Sequence, residues 1–345
     1  LCTNSKGLME SSIGCIGAGP LLEKAGMKGV DTVLFSIKSF LGHEAMEYID
    51  GNGFDIVNFH GAKAFLMRKL LGNRLGIPSV ATVHSNYKQD FLNSKFKNIV
   101  YTPLSIMGLD RFDYFICVSC YIKKLMDVDG IEGKRFVIPN GIEFGECIVE
   151  KDAGSVRSAL GINKDDFVYI MIARFHPVKN HATLIRAFGQ LEAEFGNVKL
   201  MLVGDGGRGK LQEEAGPGVI FTGYQENVID LINASDISVL TSFSEGGALP
   251  LVILESAALR KTVIASSVSD MPYSINGGNG FLVDPHSEED IYLKLKEAYL
   301  HKERLKTMGE NLYNFVKEKY SMDKFCRNYF DAYSNIIKDF EVVHK

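Results

Sequence analysis

Phe167-Val168-Tyr169-Ile170-Met171-Ile172-Ala173-Arg174-Phe175-His176-Pro177-Val178-Lys179-Asn180 begins as an unbroken apolar run and ends in a short turn with two cations and a proline. An apolar run of this length bounded by turn residues reads as a buried strand over 167–173, and the periodicity after it reads as a helix over 180–195. A strand end that opens a helix exposes unpaired backbone N–H groups and the positive end of the helix dipole. Arg174 offers a planar fork and Lys179 a mobile point charge, a combination suited to a diphosphate. Two solvated surface cations are the alternative reading.

The same alternation extends outward in both directions. Downstream, apolar runs at 198–203, 219–222, 237–240, 262–265 and 280–283 alternate with helical patterns at 226–233, 251–259 and 288–299. Upstream, runs at 31–37, 54–60, 79–84, 113–118 and 136–139 alternate with helices at 63–75 and 121–126, and a loop followed by a broken helix is expected over 87–109. Repeated βα units imply a mostly parallel sheet, and 345 residues exceed what one hydrophobic core usually holds. Two α/β domains follow, with a glycine-bearing linker at 140–161. The expected division is 1–145, 146–305, and a tail of two amphipathic helices at 306–345 packing back on the first domain. The apolar stripes of that tail are Leu312, Phe315 and Val316, then Phe325, Tyr329, Phe330, Tyr333, Ile336 and Ile337.

Composition narrows the function classes. A formal net charge of −4 gives no global positive field to hold a nucleic-acid backbone. Six cysteines are few and irregularly spaced, so a reducing compartment is expected, with Cys117 and Cys120 as buried or half-buried thiols. Asp127-Val128-Asp129 reads as a helix-terminus turn and not as a metal clamp, so no metal and no cofactor are expected. No apolar stretch is long enough to cross a bilayer as a helix, and no secretory leader opens the chain. The start at Leu1 looks internal.

Further chemistry-bearing residues lie at strand ends. Gly204-Asp205-Gly206-Gly207 follows the run at 198–203, where glycines let the backbone turn sharply and approach a ligand; an ordinary turn is the alternative. Ser244-Glu245-Gly246-Gly247-Ala248-Leu249-Pro250 precedes a helix in which Glu255 sits among apolar residues. A buried carboxylate there needs a partner, either ligand hydroxyls or a structural pair. His60 and His84 end two strands of the first domain, and a polar excursion beginning Ser85-Asn86 follows His84.

Together, Ala173-Arg174-Phe175 with Pro177-Val178-Lys179-Asn180, Val203-Gly204-Asp205-Gly206, Phe221-Thr222-Gly223-Tyr224, Ala234-Ser235-Asp236-Ile237, and Ser244-Glu245-Gly246 resemble the large retaining glycosyltransferase family called group 4. Thr82-Val83-His84-Ser85, Val118-Ser119 and Ile138-Pro139-Asn140-Gly141-Ile142 are similar to that family's acceptor-side elements. The resemblance spans about residues 19–333 and implies the GT-B fold, two Rossmann-like domains facing across a cleft. It further implies a hexosyltransferase that takes a nucleotide-sugar donor and a glycan or lipid-linked acceptor, working in the cytoplasm or at the inner face of the cell membrane. Arg174 and Lys179 would hold the donor diphosphate, Glu255 the ribose and Glu245 the region of the transferred sugar. Gly204, Asp205, Gly206, Tyr224, Gly246 and Gly247 would complete the donor side. His84 would lie near the reacting centre, with His60, Ser85 and Asn86 on the acceptor side.

Two departures from the family pattern are expected to matter. Nine residues separate Glu245 from Glu255 where the family has seven, so Gly247 and Ala248 either bulge outward or displace Glu245. The first strand and glycine-containing loop of the N-terminal domain are expected to be absent, as in a fragment or a degenerate relative. A nucleotide-sugar epimerase or hydrolase, or a catalytically silent nucleotide-sugar-binding protein, are the competing functions.

Overall fold

A computed structural model describes residues 1–86 and 106–344. The chain forms two compact units. One comprises Leu1–Gly141, Gly246–Ala248 and Met322–Lys345; the other comprises Ile142–Glu245 and Leu249–Ser321.

In the first unit, β1 (Ser12–Ile16) and β2 (Asp31–Phe35) form a parallel pair. A separate four-stranded parallel sheet runs in the order β3 (Val57–His60), β4 (Ser79–Val83), β5 (Tyr114–Cys117), β6 (Lys134–Val137). Strand alternation sends Ala81, Phe115 and Cys117 into a core with Phe59, Phe65, Phe112 and Ile122. It sends Val80 and Ile116 to the opposite face, where Tyr329, Ala332 and Ile336 of the helix Met322–His344 cover them. Burial on both faces is why these strands read as continuous apolar runs. Polar groups beneath that helix are paired: Asn58 Nδ2 donates to Tyr333 Oη at 2.7 Å, and Thr82 Oγ1 donates to Asn58 Oδ1 at 2.9 Å.

The second unit contains a six-stranded sheet in the order β12 (Gly280–Val283), β11 (Val263–Ser266), β10 (Ile237–Leu240), β7 (Phe167–Ile172), β8 (Val198–Val203), β9 (Val219–Gly223). Every neighbouring pair is parallel. Chain order reverses between β7 and β10, so the carboxyl ends of these two strands flank the topological switch point, where doubly wound sheets bind ligands. Leu184, Phe188, Leu254, Leu295, Leu312 and Val316 pack in the larger core, while Val156, Leu231 and Ile232 cover the other face.

Four expectations need correction. The first concerns the start of the chain: β1 and the turn through Gly17, at φ 94°, precede β2, so a strand and a glycine-containing loop do lie ahead of residue 31. With Gly14 and no fully buried position, this strand carries no strong apolar signature. Second, the tail helices part company. Leu312, Phe315 and Val316 of Lys302–Tyr320 pack in the second unit, and only Met322–His344 joins the first. Third, the stretch read as a linker contains a helix, Ala153–Ala159, fastened to the second unit by Arg157, which bonds the Ala234 carbonyl at 2.8 Å and Asp236 at 2.9 Å. Fourth, Cys120 is exposed, whereas Cys117 is buried and its thiol is pushed up to about 12 by burial. Asp127 pairs with Arg135 at 3.1 Å. Of the loop and broken helix expected over 87–109, residues 87–105 lie outside the described residues.

Candidate functional site

In the second unit the turn after β7 is held from several sides. His176 Nδ1 accepts from the Val178 amide at 3.2 Å, opening the single 3-10 turn Pro177–Lys179. Asn180 then takes a left-handed conformation (φ 60°) to begin the helix His181–Phe195, and its Nδ2 donates to the Pro285 carbonyl at 2.7 Å. The loop after β10 joins it through the Phe243 amide, which donates to the Val178 carbonyl at 2.8 Å.

Lys179 and Glu245, which lie 66 residues apart, meet in this frame. Lys179 Nζ lies 2.7 Å from both Glu245 carboxylate oxygens, and the Glu245 side chain is only 7% exposed. Sequence reading assigned these residues to different parts of the donor; the structure pairs them. Arg174 is exposed, and its guanidinium has no hydrogen bond or ion pair among the described residues. Glu255, in the helix Leu251–Ala258, is half-buried, and its carboxylate likewise has no hydrogen-bond partner among the described residues. Burial holds its carboxyl above the ordinary range.

Neighbouring backbone accounts for two of the glycines. A Cβ at Gly204 (φ 152°) would lie 2.1 Å from the Ala173 carbonyl oxygen, and one at Gly206 (φ 115°) would lie 2.9 Å from that of Phe175. The segment beyond β8 runs against the segment beyond β7, with the Phe175 amide donating to the Asp205 carbonyl at 2.7 Å. These glycines admit neighbouring backbone. Tyr224, just past β9, is 72% exposed.

Two buried polar atoms near the switch point gave no sequence signal. Ser242 Oγ and His181 Nε2 have no hydrogen-bond partner among the described residues, and the His181 ring lies against Phe175 with centroids 4.6 Å apart. Burial, with the Lys179 charge adding, pushes His181 down to about 4.

The acceptor-side residues belong to the first unit. His60 closes β3, His84 follows β4, and His60 Nδ1 lies 2.8 Å from His84 Nε2. Both residues are exposed, yet neighbouring protein atoms crowd the rings and lower both pKa values, and the neighbouring His84 charge helps bring His60 to about 4. Asn86 is buried; its Nδ2 donates to Tyr121 Oη at 3.1 Å and its amide donates to the Gly246 carbonyl at 2.9 Å. Ser85 is half-buried, with its Cβ 3.9 Å from a Cβ built at Gly246. Gly247 is buried, since a Cβ there would meet Ile122 at 2.7 Å, and Ala248 packs on the same core. Gly246–Ala248 thus belong to the compact unit that holds His60, His84, Ser85 and Asn86.

Comparison with known proteins gives this geometry its context. Residues 153–315 match the model described as Glycosyl transferases group 1, and residues 34–145 match Glycosyltransferase Family 4. The chain is 27% identical over 319 residues to N-acetyl-alpha-D-glucosaminyl L-malate synthase of Bacillus anthracis, covering 87% of this chain and 79% of that protein. Among solved structures, a glycosyltransferase from Rickettsia africae ESF-5 superposes with a TM-score of 0.82 at 20% identity, covering 98% of this chain and 93% of that one. Anabaena Alr3699/HepE in complex with UDP superposes with a TM-score of 0.81 at 18% identity, covering 96% and 94%. With a glycosyltransferase model on each half and this fold shared along nearly all its length, the chain belongs to the GT-B-fold glycosyltransferases.

Proposed function

We propose that this glycosyltransferase moves a hexosyl group from a nucleoside-diphosphate sugar to a glycan or lipid-linked acceptor with retention at the anomeric carbon. The observation that carries the donor half is the pair Arg174 and Glu255. A guanidinium beyond the end of β7 and a half-buried carboxylate both lack protein partners among the described residues. The half-buried carboxylate lacks hydrogen bonds that a bound ligand can supply, and the exposed guanidinium is open to an anion. Arg174 and Lys179 face the diphosphate, Glu255 accepts hydrogen bonds from the ribose, and Glu245 keeps Lys179 in place. Charge developing on the leaving diphosphate is met by fixed cations, an arrangement that needs little reorganisation during reaction.

Acceptor binding falls to His84, Ser85 and Asn86 of the first unit. A lipid-linked acceptor would bring the enzyme to a membrane surface as a peripheral protein; no helix among the described residues is long and apolar enough to cross a membrane. The test is mass analysis, with NMR of the anomeric proton, of products from a panel of UDP-, GDP- and ADP-sugars offered with glycan and lipid-linked acceptors. Conversion of an acceptor to a product heavier by one hexose residue, with the anomeric configuration kept, supports the proposal. Donor hydrolysis or isomerisation alone would instead identify a hydrolase or epimerase, and binding without turnover a silent sugar-nucleotide-binding protein.

A further inference from the structure

The histidines at the ends of β3 and β4 meet end to end. Their ring centroids are 5.1 Å apart and the rings are inclined by only 25°. That separation is the 2.8 Å between Nδ1 of His60 and Nε2 of His84 plus little more than the two ring radii. The nitrogens therefore point at each other, as a hydrogen bond in the ring planes requires, and the faces do not overlap.

The strands hold this spacing. In the parallel register His60 lies opposite Thr82, which puts His84 two residues further along the same face. Thr82 and Asn58 repeat the same diagonal one step earlier, and Asn58 is anchored in turn to Tyr333. A slip of β3 would break all three of these polar contacts, and a slip of β4 the two that join the strands.

One hydrogen occupies the bond between two neutral imidazoles, so the two rings must choose complementary tautomers. If His84 Nε2–H donates to His60 Nδ1, both rings carry hydrogen on Nε2, the form that histidine prefers in isolation. The reverse arrangement needs both rings in the less favoured Nδ1–H form. No other hydrogen-bond partner for either ring lies among the described residues to oppose that preference.

We propose that His60 is a positioning residue that fixes His84 in its Nε2–H tautomer, leaving His84 Nδ1 as a bare acceptor for a hydroxyl group of the acceptor substrate. This rests on the reading of His84 as an acceptor-side residue. A hydroxyl that donates to Nδ1 has its oxygen oriented and made more nucleophilic. His60 Nδ1 stabilises the partial positive charge that His84 then acquires.

The deciding experiment uses the full chain labelled with 15N-histidine, with His60 and His84 assigned through His60→Asn and His84→Asn. Long-range proton–nitrogen correlations at neutral pH should show His84 with an unprotonated Nδ1 and a protonated Nε2. His60→Phe should bring the two His84 nitrogens toward tautomer-averaged shifts and lower kcat by roughly tenfold to a hundredfold with little change in donor KM. His60→Asn, whose Oδ1 stands close to the lost Nδ1, should restore both the nitrogen pattern and most of kcat. A protonated Nδ1 on wild-type His84 would overturn the proposal, as would an unchanged His84 pattern or an unchanged kcat in the phenylalanine variant. If the wild-type nitrogen pattern is as expected but no acceptor is glycosylated with any donor, the transfer reading fails while the tautomer assignment stands.

Discussion

Replacing Lys179 with methionine strands the Glu245 carboxylate, which is 7% exposed and makes both its close contacts to that one ammonium. At an effective dielectric of about 20, unit charges about 4 Å apart attract by about 4 kcal/mol. Lys179 keeps 21% of its side chain in water, so screening reduces that figure. A coupling of about 2 kcal/mol is expected, between the fraction of a kcal/mol typical of exposed pairs and the roughly 3–5 kcal/mol lost on breaking a buried one. Lys179→Met should cost more than Glu245→Gln, because glutamine leaves a neutral group that can still accept from Lys179. The double variant should recover about 2 kcal/mol relative to the sum of the two. Unfolding of a two-unit chain is not a single transition, so the readout is amide hydrogen exchange in β7 and β10, resolved by mass spectrometry. Effects that add within about 0.5 kcal/mol would refute the pairing. The same variants separate its functional consequence. Glu245→Gln should leave UDP affinity unchanged or tighter, whereas Lys179→Met should weaken it about tenfold, a loss of about 1.4 kcal/mol. Wild-type affinity in the methionine variant would remove Lys179 from the diphosphate site.

Arg174→Ala should reduce transfer by about a hundredfold, roughly 3 kcal/mol of transition-state stabilisation, at unchanged thermal stability; equal kcat and kcat/KM would remove Arg174 from the reaction. Glu255→Gln should weaken donor binding, measured by calorimetry, because a charge-assisted bond to a hydroxyl gives way to a neutral one. Equal affinity there would make Glu255 a structural residue. Alanine scanning of the glycine turn should rank Gly204 far above Gly206 in cost, with Gly207 near neutral. The Cβ distances are 2.1 Å and 2.9 Å for the first two, and nothing lies within 4 Å for the third. Gly204→Ala should cost more than about 4 kcal/mol and yield little folded protein, and equal stability of the Gly204 and Gly207 variants would disprove the close approach. His181 stays neutral when folded, at about 4 against the ordinary 6.5, so the unfolded chain takes up a proton first. Its contribution is complete above pH 6.5, falls as pH drops toward 4, and amounts to about 3 kcal/mol across that window. Exchange protection in the second unit should lose this slope in His181→Gln, and an identical slope in both proteins would count against it.

The strands of both sheets could be read from sequence because they are parallel and buried on both faces, as Phe167–Ile172 and Val198–Val203 show. Ser12–Ile16 escaped because it is short, contains Gly14 and is nowhere fully buried. Candidate site residues were legible because each stands at a strand end: Arg174 after β7, Glu245 after β10, His60 and His84 at β3 and β4. Their pairings were hidden, because the order of strands in a sheet decides which ends become neighbours and no local pattern encodes it. β7 beside β10 brings Lys179 to Glu245, and β3 beside β4 brings His60 to His84. Gly204 shows the opposite failure. Its residue type signalled a close approach correctly, but the approaching group is the Ala173 carbonyl.

Because the helix Met322–His344 completes the first unit, that unit cannot mature in the order in which it is translated. Val80, Ile116 and Ile138 leave the ribosome well over a hundred residues before Tyr329 and Ile336, and the whole of 142–321 is synthesised in between. During that interval one face of the nascent β3–β6 sheet has apolar side chains but no helix to cover them, a state open to aggregation and to capture by chaperones. The second unit is under no such delay, since nearly all of it is one unbroken stretch. A stop codon or protease cut near residue 321 would therefore harm the unit whose sheet is made first and spare the second unit made after it.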